Sequence, residues 1–265
     1  MLGTRVVTAL VAIPALWLIV WKLWAPLFAL FILTVTAIGL AEYAAMALPA
    51  HPRYRAAAVL LGTGVAAGVI AGEPWLGLAL SAALLVALAH ALRPGVRLDR
   101  AVARVGAWWL GVAYVGFLLP HVVLLRESGP DGWRWVLFAV FVSMGSDTGG
   151  YFGGRWWGHR KLLPSVSPAK TVEGAIGAVA AAAVLAVACW VAFLPGAGAV
   201  EIVTLGVAVS LVAQAGDLCE SALKRAFGAK DSGWIIPGHG GILDRLDSLL
   251  FPFVLVYHYV VLAGM

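Results

Sequence analysis

Charge is scarce in this sequence. Asp, Glu, Lys and Arg make up 12% of its 265 residues, about half the share of an ordinary soluble domain. A soluble surface needs far more, which argues against a water-exposed globule with one large core. Cysteine is scarce as well. Cys189 and Cys219 lie in or beside apolar runs, without metal-ligand spacing, and read as small packing residues. No Gly-x-x-x-x-Gly-Lys-Ser/Thr run occurs, so a Walker-type phosphate loop is excluded. No internal repeat is visible, which argues against the paired halves of an ion or phosphate transporter. No low-complexity linker divides the chain.

What fills the sequence instead is apolar: 62% of the residues are hydrophobic. Repeated runs of roughly 18–24 apolar residues predict an all-α polytopic integral membrane protein. About nine transmembrane helices are expected: Arg5–Trp21, Ala25–Leu48, Ala56–Gly72, Trp75–Leu92, Val102–Leu125, Trp133–Phe152, Val172–Leu194, Ile202–Asp217 and Leu249–Gly264. Arg5 and the run behind it could pass for a signal peptide. The run continues to Trp21 without a clear cleavage site, so it is taken as the first span. With the N-terminus inside, 15 of the 18 lysines and arginines fall on the cytoplasmic side and Lys22, Arg126 and Arg134 outside. That bias predicts an N-in, C-out topology. Residues 1–100 read as scaffold helices. Residues 101–265 read as a catalytic region with cytoplasmic loops at 153–172 and 217–248.

Two polar segments interrupt the apolar pattern. The first, Asp147–Gly174, places Asp147 at the edge of a span. Gly149, Gly150, Gly153 and Gly154 follow, then Arg155, Arg160, Lys161 and Lys170. The glycines allow close backbone approach and allow the chain to loosen where the helix ends. Ser165, Ser167 and Thr171 can donate hydrogen bonds. A helix beginning just after Lys170 and Thr171 would offer free N–H groups to an anion. Cations, hydroxyls and amides on one short segment suit phosphate. A basic topogenic loop would need neither Asp147 nor Glu173.

The second segment, Asp217–Ser248, holds five of the thirteen acidic residues, four basic residues and His239. If the eighth span continues as a helix to Phe227, then Asp217, Glu220, Ser221 and Lys224 share one face. Gly228 is a natural stop. A glycine-rich loop follows, and a helix near Ile242 presents Asp244, Asp247 and Ser248. The carboxylates of Asp217, Glu220, Asp244 and Asp247 suit Mg²⁺, and Lys224, Arg225, Lys230 and Arg245 suit a polyphosphate. Carboxylate-held metal beside such cations is the equipment of phosphoryl or nucleotidyl transfer. Structural ion pairs between helix ends, such as Asp244 with Lys224, would use the same residues.

The run Ser221-x-Leu223-Lys224-Arg225, Lys230-Asp231-x-Gly233 and Ile236-Pro237-x-His239-Gly240-Gly241-Ile242-x-Asp244-Arg245-Leu246-Asp247 resembles the signature of the phosphatidate cytidylyltransferase (CDP-diacylglycerol synthase) family. The Asp147–Gly174 segment resembles that family too, with Gly150 where Ala is frequent and His159 where Lys is frequent. The resemblance implies a reaction of CTP with phosphatidic acid that gives CDP-diacylglycerol and pyrophosphate in phospholipid biosynthesis. It implies Mg²⁺ and leaves room for a second cation beside Asp217. Asp217 and Asp244 are implied as the first metal ligands, with Glu220 and Asp247 in support. Asp217, Asp244, Asp247 and Lys224 would carry catalysis. Ser221, Arg225, Lys230, His239 and Arg245 would bind substrate, together with Asp147, Ser167, Lys170 and Thr171. A homodimer in the bacterial cytoplasmic membrane is implied, with its site facing the cytoplasm and no nucleic-acid partner. A CTP-dependent polyprenol or phytol kinase is the nearest alternative; it would move the γ-phosphate and would need a base such as Asp147 or Asp231.

Overall fold

The apolar runs do become helices. The computed structural model describes residues 17–49, 52–92, 98–194, 196–235 and 240–264. The helices are α1 (Ala25–Ala47), α2 (Pro52–Ala71), α3 (Trp75–Ala91), α4 (Leu98–Gly111), α5 (His121–Arg126), α6 (Gly132–Trp157), α7 (Val172–Phe193), α8 (Ala199–Ala226), α9 (Leu243–Leu246) and α10 (Leu250–Ala263). Most expected boundaries match to within a few residues; most of the first expected span lies outside the described residues. Five helical segments are long and apolar enough to cross a membrane: α1, α2, Ala101–Arg126, α7 and α8. The protein is a helical membrane protein.

The fifth expected span is not one straight helix. A π-helical turn, Val112–Phe117, joins α4 to a turn that ends at Pro120. Close packing accompanies the irregularity: a side chain at Gly116 would sit 2.6 Å from the Gly62 carbonyl of α2. The fold is helical as expected, with one small addition. Within the first polar loop, β1 (Lys161–Leu163) and β2 (Ser167–Thr171) form a small antiparallel hairpin. Glu173 anchors it by accepting the backbone N–H groups of His159 and Arg160, at 3.0 and 3.2 Å. Thr171 then starts α7 as expected, its hydroxyl accepting the Gly174 N–H at 3.1 Å.

The glycines of α6 allow close approach, as the sequence implied, but they do not loosen the helix. It runs on to Trp157 because α7 supports it backbone to backbone. A Cβ at Gly149 would lie 2.5 Å from the Gly177 carbonyl, and one at Gly174 would lie 2.9 Å from that of Gly150. Small residues on both helices bring the two axes together: Ala178 and Ala181 of α7 also face Gly150 and Gly149, while Ala182 and Ala186 pack against Gly206 of α8. Gly149→Val should therefore overpack this seam at a cost of about 1–3 kcal/mol. Its unfolding midpoint in detergent is expected to fall, whereas Gly106→Ala, whose Cβ would meet nothing within 4 Å, should leave it unchanged. Equal midpoints for the two variants would contradict the seam.

Helix α8 has 28 residues and so extends about 42 Å. The hydrocarbon core of a bilayer is about 30 Å thick. The excess is the polar C-terminal part, Asp217 to Arg225. Gly228, at φ +71°, ends it as expected. There it meets β2, the C-terminal half of α6 and the start of α10.

Candidate active site

A cavity of about 430 Å³ opens between α6, α7, α8 and β2. Asp147, Lys170, Thr171 and Asp217 line it, with Arg155 and Gln214. The two polar segments thus form one site. Lys170 Nζ lies 2.6 Å from Asp217 Oδ2. Ser248 Oγ donates to Asp147 Oδ2 at 3.0 Å and so ties the head of α10 to α6. Ser221 donates to Asp217 at 3.5 Å. Thr171 combines its capping bond with a place in the cavity wall. Ser167 begins β2, half-buried.

Behind this wall lies a second charged group. Lys224 Nζ sits 2.5 Å from Glu220 Oε2 and 2.7 Å from Asp244 Oδ1. Glu220 is 1% exposed, and a buried carboxylate is tolerated only when it is paired. Asp244 also accepts the N–H of Ser232 at 2.9 Å and that of Gly241 at 2.8 Å. Burial alone would raise its carboxyl. The bonds from Lys224, Gly241 and Ser232 prevail and hold it at about 2.

Asp247 is the opposite case. Burial pushes its carboxyl up to about 7, and Asp217 and Asp147 add repulsion that the Ser248 N–H and Lys224 offset only in part. Asp244 and Asp247, expected on one face, are therefore drawn to different partners. The helix between them is only four residues long, and Asp247 falls in the turn that follows. Arg225, Lys230 and Arg245 are exposed and lie outside the cavity lining, with Arg225 donating to the Ala229 carbonyl at 3.3 Å. His239 lies outside the described residues.

One residue was not singled out in the sequence. Glu42, on α1, is 5% exposed and accepts hydrogen bonds from Ser232, Ile242 and Leu243. It is the one charged residue of α1, and an ionisable group inside a span is itself a signal.

This arrangement places cations and hydroxyls beside clustered carboxylates at one end of the bundle. The sequence model of the cytidylyltransferase family matches residues 3–263. The chain belongs to the cytidylyltransferase family. Among similar proteins of that family is a phosphatidate cytidylyltransferase of Brucella suis biovar 1 (strain 1330), 46% identical over 149 residues, 56% of this chain and 54% of the relative. The phosphatidate cytidylyltransferase of Bacillus subtilis (strain 168) is 42% identical over 159 residues, 60% of this chain and 59% of the relative. That of Staphylococcus aureus (strain COL) is 43% identical over 144 residues, 54% of each chain. The chain spans a little over half the length of these relatives. Membership in the cytidylyltransferase family matches what the Ser221–Asp247 signature implied.

Among the described residues, no three Asp, Glu, His or Cys side chains converge as a ready-made metal cage. Mg²⁺ commonly takes one or two carboxylates and completes its shell with water and substrate phosphate. The mutual repulsion of Asp147, Asp217 and Asp247 is the electrostatic condition that a bound cation relieves.

Proposed function

We propose that the protein is a phosphatidate cytidylyltransferase, making CDP-diacylglycerol and pyrophosphate from CTP and phosphatidic acid. The observation that carries this reading is the cavity in which Lys170 and Thr171 face Asp147 and Asp217. A phosphatidate phosphate is already a nucleophile at neutral pH, so the site needs no general base to activate it. An oxygen of that phosphate attacks the α-phosphorus of CTP. The bond from the α-phosphorus to the oxygen bridging it to the β-phosphorus breaks, and the electron pair leaves with pyrophosphate. The protein's task is alignment and charge stabilisation. Lys170 holds phosphate in exchange for its contact with Asp217. Lys224 supplies positive charge from behind, kept in place by Glu220 and Asp244. Arg225, Lys230 and Arg245, with His239, bind substrate in this reading, and Ser167 and Ser221 supply hydroxyls. Mg²⁺, when bound, neutralises polyphosphate charge as a Lewis acid; Asp217 would hold it, with Asp247 and Asp147 nearest and Asp244 and Glu220 behind. The excess of lysine and arginine on one side supports a cytoplasmic site in a bacterial inner membrane. A homodimer in the bilayer is part of the same reading.

The fate of labelled CTP tests it. Purified protein given phosphatidic acid and Mg²⁺ should move the α-label of CTP into lipid and release the γ-label in pyrophosphate. Transfer of the γ-label to a prenol, with release of CDP, would instead identify a lipid kinase.

A further inference from the structure

The loop that carries Asp244 is held from both sides by carboxylates. Asp244 holds the N–H groups of Ser232 and Gly241 from one side. Glu42 reaches in from the other, nearly two hundred residues earlier in the chain. Its Oε1 accepts the Ile242 N–H at 3.0 Å. Its Oε2 accepts the Leu243 N–H at 2.9 Å and the Ser232 hydroxyl at 3.3 Å. Ser232 is the shared element, giving its N–H to Asp244 and its O–H to Glu42. Both backbone segments of the loop, around 232 and around 242, are thereby fixed to α1.

The same carboxylate accounts for two glycines. A Cβ at Gly233 would lie 2.6 Å from Glu42 Oε1, and one at Gly241 would lie 2.5 Å from Oε2 and closer still to the Ser232 hydroxyl that Oε2 accepts. Real Cβ atoms do not approach so closely, so any side chain at either position displaces the carboxylate. The next residue fixes α1 in turn: Tyr43 donates its hydroxyl to the Ala107 carbonyl at 2.8 Å, and its ring meets the edge of Phe227 just beyond α8. The anchor is therefore rigid on the side away from the loop.

We propose that Glu42 is a positioning residue, which sets the backbone at Ser232 and at Ile242 and Leu243 so that Asp244 and Lys224 stand in register behind the cavity. The catalytic half of this inference rests on the cytidylyltransferase reading; the structural half does not. A glutamine at 42 has one acceptor oxygen in place of two, and its amide N–H₂ faces a backbone donor. A small misplacement far from the chemistry can cost about 100-fold in rate.

Two measurements test the proposal. Glu42→Gln should speed hydrogen exchange in peptides covering 240–246 and leave those within α7 unchanged. It should also lower kcat about 10- to 100-fold at an unaltered unfolding midpoint, with part of the loss restored in Glu42→Asp. The second measurement is a double-mutant cycle. Gly233→Ala, whose Cβ would meet only Glu42, should impair turnover in the native background but cost little more once Glu42→Ala has removed the carboxylate. Unchanged exchange at 240–246, or losses in the cycle that simply add, would overturn the proposal. Should Glu42→Gln fail to fold, the Glu42→Asp and Gly233→Ala single variants carry the same exchange test. Faster exchange in a protein whose native form makes no CDP-diacylglycerol would keep the positioning role and remove the cytidylyltransferase reading.

Discussion

Changing Asp244 to asparagine is expected to lower CDP-diacylglycerol synthesis by about 100-fold or more, the scale of losing a preorganised electrostatic contact, while the protein stays folded. Asparagine keeps the shape and one acceptor oxygen. It loses the charge that pairs with Lys224 at 2.7 Å, and Lys224 is left with Glu220 alone. The N–H groups of Ser232 and Gly241 then compete for a single neutral oxygen. Folding should survive because Glu42 still binds Ile242 and Leu243 from the other side. The measurement is turnover per folded molecule, with the unfolding midpoint as control. Full activity in Asp244→Asn would remove this residue from the site.

That a structural ion pair and a catalytic group occupy the same atoms is not a contradiction. A site for a highly charged nucleotide must hold its charges before the substrate arrives. Buried charges are stable only when paired, so the protein pairs them with each other. Lys224 with Glu220 and Asp244 is such a buried group, and Lys170 with Asp217 is a partly exposed pair. At Lys170, which lines the cavity, substrate phosphate can take the place of the carboxylate on the lysine. A cation can take the place of the lysine on the carboxylate.

The helices were legible because hydropathy is a local property. The run from Ala25 and the run from Val172 could be bounded without knowing what they pack against. The polar face of α8 was legible for the same reason: Asp217, Glu220, Ser221 and Lys224 are close in sequence, and the helix does continue beneath them. What sequence could not show was which backbone those side chains meet. Glycines at 149, 150, 153 and 154 suggest a weak helix on propensity alone, yet contact with α7 overrides that. The hairpin at 161–171 was hidden because its strands are three and five residues long, too short for any periodicity. Glu42 was visible as an acid within a span, but its partners lie 190 or more positions away. Long-range hydrogen bonds leave no local pattern.

Asp217→Asn is the companion to Asp244→Asn and should fail in a different way. Asp217 faces the cavity, whereas Asp244 is tied to the loop. If Mg²⁺ is held where Asp217, Asp147 and Asp247 repel one another, removing one of the three charges weakens that hold directly. The Mg²⁺ concentration for half-maximal activity should rise roughly 10- to 100-fold, the range seen when a metal site loses a supporting group. Turnover at saturating Mg²⁺ should also drop, because Lys170 loses its 2.6 Å partner and is left to wander. Asp147→Asn should shift the Mg²⁺ midpoint in the same direction but less, since Asp147 is already engaged by Ser248. Asp244→Asn should lower the ceiling of the Mg²⁺ titration more than it moves the midpoint. Identical midpoints in Asp217→Asn and the native protein would place the cation elsewhere and leave Asp217 as the partner of Lys170 alone. The contrast between the two variants thus separates the carboxylates that touch metal from those that hold the cations in place.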